Sequence, residues 1–178
     1  MTGGGMTISG GECLSQPEFT LELLKACKAA GIHTAVDTTG FVKWEVIERV
    51  MPYADLFLYD LKCMDSDMHK QVIGVPNELI LENAVKIAEH GGHMQVRIPT
   101  IPMFNDSQEH FVKYGEFLSK IKDGVDMVQL LPYHKLGVSK HQRLLKKEKV
   151  FVAEPPSDAT MQARKKQLEA YGLTVTIH

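Results

Sequence analysis

The sequence predicts an α/β fold of parallel strands alternating with helices, and three observations carry that prediction. Five short apolar, β-branched segments, at 6–8, 32–36, 56–59, 94–98 and 127–131, are each followed by a helical pattern, and parallel strands need such crossovers. The segments are near-continuously apolar, as expected of strands covered on both faces. Finally, Glu12, Asp37, Asp60, Lys62, Arg97 and His134 all fall at or just beyond the carboxyl ends of these segments. A doubly wound sheet and a complete or partial β/α barrel both satisfy the alternation. The placement of the polar residues favours a barrel, where strand ends converge on one mouth.

At the end of the first segment Gly10 and Gly11 remove side-chain bulk, so bare backbone there can lie against a ligand. A tight turn is the plainer reading of a glycine pair. Glu12 beside it adds a carboxylate suited to a ligand's amino group. The pair is not the dinucleotide fingerprint, because the helix starts several residues later. Ser15 and Glu18, spaced as a capping box around Pro17, predict a helix over 17–30 that Gly31 closes. Cys27 shares a face of that helix with Leu23 and Leu24, which predicts a small core residue.

The second strand leads to Asp37-Thr38-Thr39-Gly40 and a helix over 42–51 that Pro52 terminates. The third leads to Asp60-Leu61-Lys62, a short helix over 65–71, and a longer helix over 78–89 opened by Asn77 and closed by Gly91-Gly92. The fourth ends at Arg97-Ile98-Pro99; after a loop through Asn105 and Asp106, Ser107 opens a helix over 108–120. The fifth ends at Pro132-Tyr133-His134. Residues 135–149, with Lys140, Arg143, Lys146, Lys147 and Lys149 against Glu148, have no apolar stripe and read as a solvated loop. Ser157 caps a helix reaching Tyr171, and 173–177 is a final β-prone run.

The 178 residues, 44% hydrophobic and 24% charged, suit one domain over 1–178 with a proper core. A formal charge of -2 gives no global pull toward nucleic acid or anionic membrane. No apolar run approaches a bilayer span, and the start lacks a basic segment followed by an apolar one, which predicts a cytoplasmic protein. Cys13, Cys27 and Cys63 are odd in number and widely spaced, against a disulfide framework or a self-contained metal site.

Any one charged residue at a strand end is ordinarily a solvated rim, but six together point to a ligand site. Asp37 and Asp60, on adjacent strands, call for a cation between them or a raised pKa. A hard cation held by oxygens of Asp37, Thr38 and Asp60 is one resolution, and a salt bridge from Lys62 is the other. A ligand with both an amino and a carboxylate group suits this lining.

Taken together, Ser9-Gly10-Gly11-Glu12, Asp37-Thr38, Asp60-Leu61-Lys62, Gly74-Val75-Pro76-Asn77, Arg97-Ile98-Pro99, Asn105-Asp106 and Leu130-Leu131-Pro132-Tyr133-His134 resemble the glycyl radical enzyme activating enzymes, of the pyruvate formate-lyase activating type. The resemblance spans nearly the whole chain. It implies a radical S-adenosylmethionine (radical SAM) protein with a partial β/α, TIM-like barrel. In such a protein the Gly10-Gly11-Glu12 turn holds the methionyl amino group, and Asp37, Lys62 and His134 contact the rest of S-adenosylmethionine. Asp37, Thr38, the Leu58 backbone and Asp60 correspond to a monovalent-cation site, and Arg97 faces the glycine loop of the protein substrate. The implied reaction is reductive cleavage of S-adenosylmethionine to a 5′-deoxyadenosyl radical, which abstracts hydrogen from a backbone glycine of a partner glycyl radical enzyme. A flavodoxin or ferredoxin-type protein is the implied reductant.

The family's C-x-x-x-C-x-x-C loop, which holds its 4Fe-4S cluster, is not found in these residues, and the three scattered cysteines do not replace it. The chain is therefore expected to be the carboxyl-terminal portion of an activating enzyme, lacking the first β/α unit and inactive alone. Cys13 stands where the family usually has Pro, Thr39 where Asn is common and Met103 where Gly is common, which leaves open whether the partner is pyruvate formate-lyase or a relative such as a glycerol or choline lyase. Two readings from other classes are a non-catalytic partner-binding barrel module, using the basic loop, and a metal-dependent aldolase or isomerase using Lys62 or His134.

Overall fold

Six parallel strands form one sheet in the computed structural model, which describes residues 4–134 and 154–178. The strands are β1 (Gly5–Ile8), β2 (His33–Thr38), β3 (Leu56–Asp60), β4 (Met94–Thr100), β5 (Val125–Pro132) and β6 (Val175–Ile177). They lie side by side in chain order with β1 and β6 at the edges, so the sheet does not close. This is the partial barrel expected. The intervening helices are α1 (Pro17–Ala29), α2 (Trp44–Val50), α3 (Ser66–Ile73), α4 (Glu78–Glu89), α5 (Gln108–Leu118) and α6 (Asp158–Glu169). Residues 135–149, expected as a solvated basic loop, lie outside the described residues.

The strand pleat separates two faces. On one, Val36, Phe57, Tyr59, Val96, Ile98, Val128 and Leu130 are buried to 1% exposure or less and join Leu24, Ile47, Ile87, Phe111 and Leu118 from the helices in the core. On the other, Leu58, Asp60, Gln95, Arg97, Pro99, Met127, Gln129 and Leu131 are only half-buried. The expectation of two equally covered faces is thus corrected: apolar residues on the second face made the strands read as continuous. Tyr59 anchors β3 to the helical layer by donating to the Ile80 carbonyl at 2.6 Å. Gly40, at φ +72°, sits over the same ring, and an added Cβ would lie 1.8 Å from the Tyr59 hydroxyl oxygen. Only glycine satisfies both demands.

Two helix starts differ from the sequence reading. Helix α1 begins without a side-chain cap on Gln16; Ser15 Oγ instead donates to the Glu12 carbonyl at 2.7 Å, and Glu18 reaches across to Arg49 at 2.8 Å. Ser15 is the last residue of a 3-10 turn over Cys13–Ser15 that precedes the helix, and Glu12 caps that turn. Asn77 precedes α4, but its side chain turns away to donate to the Cys63 carbonyl at 2.9 Å.

Candidate functional site

Parallel register places the polar residues. Asp37 lies opposite Leu58, and Asp60, two residues on, lies opposite Arg97. All three charged side chains therefore project from the half-buried face, at the carboxyl end of neighbouring strands. Arg97 Nε donates to Asp60 Oδ1 at 2.8 Å, its Nη2 reaches the same oxygen at 2.7 Å and also donates to Asp37 Oδ1, and its Nη1 lies 3.4 Å from Asp37 Oδ2. Ser9 Oγ donates to Asp37 Oδ2 at 2.8 Å, and Lys62 Nζ stands 3.7 Å from Asp60 Oδ2. A chain of alternating charge thus runs from Ser9 through Asp37, Arg97 and Asp60 to Lys62.

The guanidinium is the cation that two adjacent acids require. Burial pushes the Asp60 carboxyl up, against the pull of Arg97 and Lys62. Burial works against the charge on Arg97, but Asp60 and Asp37 together outweigh it and hold it protonated. The sequence shows that a counter-charge is needed; it does not show that Arg97, rather than Lys62 or a bound cation, stands between the acids. Thr38 projects from the opposite face, where its hydroxyl donates to Glu12 Oε1 at 2.9 Å and accepts from the Gly40 N–H at 2.9 Å. Its side chain is not brought together with the two aspartates.

Glu12 ties the turn after β1 to the turn after β2. Oε1 accepts from the Leu14 N–H at 3.1 Å and from Thr38 Oγ1, while Oε2 accepts from the Thr39 N–H at 3.0 Å and from Thr39 Oγ1 at 2.9 Å. Four donors match a carboxylate's full acceptor capacity. Gly10 and Gly11 lie exposed just before it, Gly10 at φ +148°, and an added Cβ on either meets nothing within 4 Å. Cys13 Sγ donates to the Asp37 carbonyl at 3.3 Å; burial, reinforced by the charges of Glu12 and Asp37, pushes the thiol up to about 11. His134 is exposed beyond β5 and has no hydrogen bond to Asp37, Asp60 or Lys62 among the described residues.

Three buried asparagines, none of which the sequence reading assigned a site role, shape this mouth. Asn83 Nδ2 donates to the carbonyls of Gly40 and Val42, each at 2.8 Å, and holds the loop after β2. Asn77 holds the Cys63 carbonyl after β3. Asn105 Nδ2 donates to the Lys62 carbonyl at 2.7 Å and the Pro99 carbonyl at 2.6 Å, and its Oδ1 accepts from the Ile101 N–H at 2.8 Å, joining the loops after β3 and β4. The only sequence signals for these roles were an asparagine at a helix start (Asn77), one inside a helix (Asn83) and one in a loop (Asn105). Beside them, Thr39, Phe41, Asp60, Lys62, His69 and Ile73 line a small concavity.

Among the described residues no three His, Cys, Asp or Glu side chains cluster as metal ligands. Cys13, Cys27 and Cys63 are free and buried, in the 3-10 turn, on α1 and beyond β3 respectively. No described helix is long and apolar enough to cross a membrane.

The sequence profile of the Radical SAM superfamily matches residues 2–115. The chain belongs to the radical SAM superfamily. Within it, this radical SAM chain is related to activating enzymes of glycyl radical enzymes. It is 38% identical over 178 residues to the choline trimethylamine-lyase activating enzyme of Oleidesulfovibrio alaskensis, covering 99% of this chain and 57% of that protein. It is 37% identical over 173 residues to the pyruvate formate-lyase 1-activating enzyme of Escherichia coli, covering 96% of this chain and 70% of that enzyme. The chain thus spans a little over half of the first relative's length. A crystal structure of a domain of pyruvate-formate lyase-activating enzyme from Bacteroides vulgatus superposes with a TM-score of 0.84 at 37% identity, covering 98% of this chain and 99% of that one.

Proposed function

We propose that these residues form the S-adenosylmethionine-binding part of a glycyl radical enzyme activating enzyme, whose whole protein abstracts hydrogen from a backbone glycine of a partner such as pyruvate formate-lyase or choline trimethylamine-lyase. One observation supports this most directly: a glycine turn free of side chains lies beside a register-assembled row of Asp37, Arg97, Asp60 and Lys62. Such a row offers both signs of charge to an amino acid's ammonium and carboxylate. The exposed Gly10 and Gly11 backbone would receive the methionyl amino group, with Glu12 fixing the turn through its four bonds. Asp37 and Lys62 would bind the remaining polar groups, and His134 would close over them from beyond β5. A monovalent cation at Asp37, Asp60 and the backbone of Thr38 and Leu58 would displace the Arg97 contact to Asp37, freeing the guanidinium to meet the partner.

S-adenosylmethionine held there would supply, on one-electron cleavage of a sulfonium carbon–sulfur bond that releases methionine, a carbon centre able to accept a hydrogen atom. The described cysteines do not fit a 4Fe-4S cluster, being buried and in separate segments of the chain. A flavodoxin or ferredoxin-type reductant would serve the whole protein, in the cytoplasm.

Equilibrium dialysis of the chain against radiolabelled S-adenosylmethionine tests the binding role. Saturable binding, weakened about tenfold or more by Asp37→Asn or Gly10→Val through a lost charged bond or a blocked turn, is expected. Equal affinity of both variants and the parent chain would refute the assignment.

A further inference from the structure

The half-buried face of the sheet carries a second polar pair beside Arg97, on β4 and β5. Gln95, two residues before Arg97 on β4, donates from Nε2 to Oε1 of Gln129 at 3.0 Å, and Gln129 lies opposite Arg97 in register. We propose that the side-chain amides of Gln95 and Gln129 form a subsite for the backbone of an extended polypeptide segment from a partner protein. The inference rests on the proposed role of this face toward a protein substrate and adds the groups that read it.

Three observations lead there. First, the mutual bond leaves Gln95 Oε1 and the Gln129 N–H groups without a partner among the described residues, and neither atom is sealed from solvent. An open acceptor beside an open donor is the complement of a peptide group's N–H and C=O. Second, the charges beside the pair balance, Asp37 and Asp60 against Arg97 and Lys62. That balance selects for a neutral polar occupant such as a backbone, and not for a charged side chain. Third, residues two apart on a strand repeat every ~6.6–6.8 Å. Gln95 and Arg97 therefore match alternate residues of an extended segment, while half-buried Leu58, Met127 and Leu131 flank the pair and provide apolar contact for its side chains.

Nitrogen-15 NMR of the labelled chain tests this with a defined probe, acetyl-Ala-Ala-Gly-Ala-Ala-amide, and an analogue in which the glycine N–H is replaced by an ester oxygen. The side-chain NH₂ signals of Gln95 and Gln129 are expected to shift saturably with the peptide. The ester analogue, and the peptide with Gln95→Leu or Gln129→Leu, are expected to bind about fivefold or more weakly for one lost hydrogen bond. Backbone amide spectra confirm that each variant is folded, with Gln129→Met as the second choice if a Leu variant is not. Unmoved Gln side-chain signals, or equal affinity of ester, variants and parent, would overturn the subsite. S-adenosylmethionine is titrated separately and read at Gly10 and Gly11. Glutamine shifts without S-adenosylmethionine binding would sink the proposed function alone, and the reverse pattern would sink only the subsite.

Discussion

Asn105 Nδ2 donates to the Lys62 carbonyl at 2.7 Å, across 43 residues of sequence, from a side chain with no exposed surface. The same amide bonds Pro99 and Ile101, so one side chain fixes the backbone from which Lys62 projects.

Asn105→Ala leaves two carbonyls and one N–H of these loops without that partner. A loss of about 2–4 kcal/mol is expected, since each buried unsatisfied group costs about 1–3 kcal/mol and water will relieve part of it. Urea unfolding measures it. A loss below 0.5 kcal/mol, on the scale of an ordinary surface change, would show that the loops hold their shape without the amide.

Gly40→Ala places a methyl group against the Tyr59 hydroxyl at a positive φ. Destabilisation of about 2–4 kcal/mol is expected from strain and displacement of the ring together. The double variant with Tyr59→Leu removes the contacting ring, whose Cζ and Cε2 as well as its oxygen would lie within 2.7 Å of the added Cβ, so the two changes should combine to less than their sum. Simple additivity in thermal melts would count against the clash.

Arg97→Met removes the charge between Asp37 and Asp60 while keeping most of the side chain's volume. Breaking a buried pair costs about 3–5 kcal/mol, and these side chains are 18–23% exposed, so a loss of roughly 2–3 kcal/mol at neutral pH is expected. The Asp60 carboxyl, already raised by burial, rises further without the guanidinium. A carboxyl raised in the folded state binds more protons than in the unfolded state, so the variant recovers stability as pH falls through its folded-state pKa. A pH-independent difference from the parent chain would refute this account.

Asp55 accepts from the Thr34 N–H at 2.8 Å and pairs with Lys28, whose hydrogen bond, with that of the Thr34 backbone, holds its carboxyl down at about 2. A depressed carboxyl stabilises the fold above its unfolded value of 3.8 and loses that contribution as pH falls from there toward about 2. Asp55→Asn should flatten the acid limb of the stability curve between those values. An unchanged acid limb would remove Asp55 from the account.

Cys13, buried and raised to about 11, is expected to resist iodoacetamide at pH 7.5, with a rate rising about tenfold per pH unit until the thiolate dominates. Mass spectrometry of the alkylated peptide reads it. Rapid labelling at neutral pH would mean a thiolate held by a cation that the described residues do not provide.

Most of the fold was legible because the strand and helix patterns are local. The β/α alternation placed every strand within a few residues, and parallel pairing then put Asp37, Asp60, Lys62 and Arg97 at one rim. What sequence could not show was which acid meets which base: Arg97 as the bridge depends on register across β2, β3 and β4, a non-local fact. The Ser15 and Glu18 capping box failed for a similar reason. Glu12 captured the turn ahead of α1 and Arg49 offered Glu18 a partner 31 residues away. Asn77, Asn83 and Asn105 escaped notice because a buried staple looks like an ordinary cap, helix-surface or loop asparagine until the carbonyl it holds is in view.

Those three amides act from behind the rim, on backbone carbonyls, and leave the side chains that face outward out of the scaffolding. Outward residues such as the exposed Phe41, Ile73 and Met103 can therefore be exchanged without loosening the loops that these amides clamp.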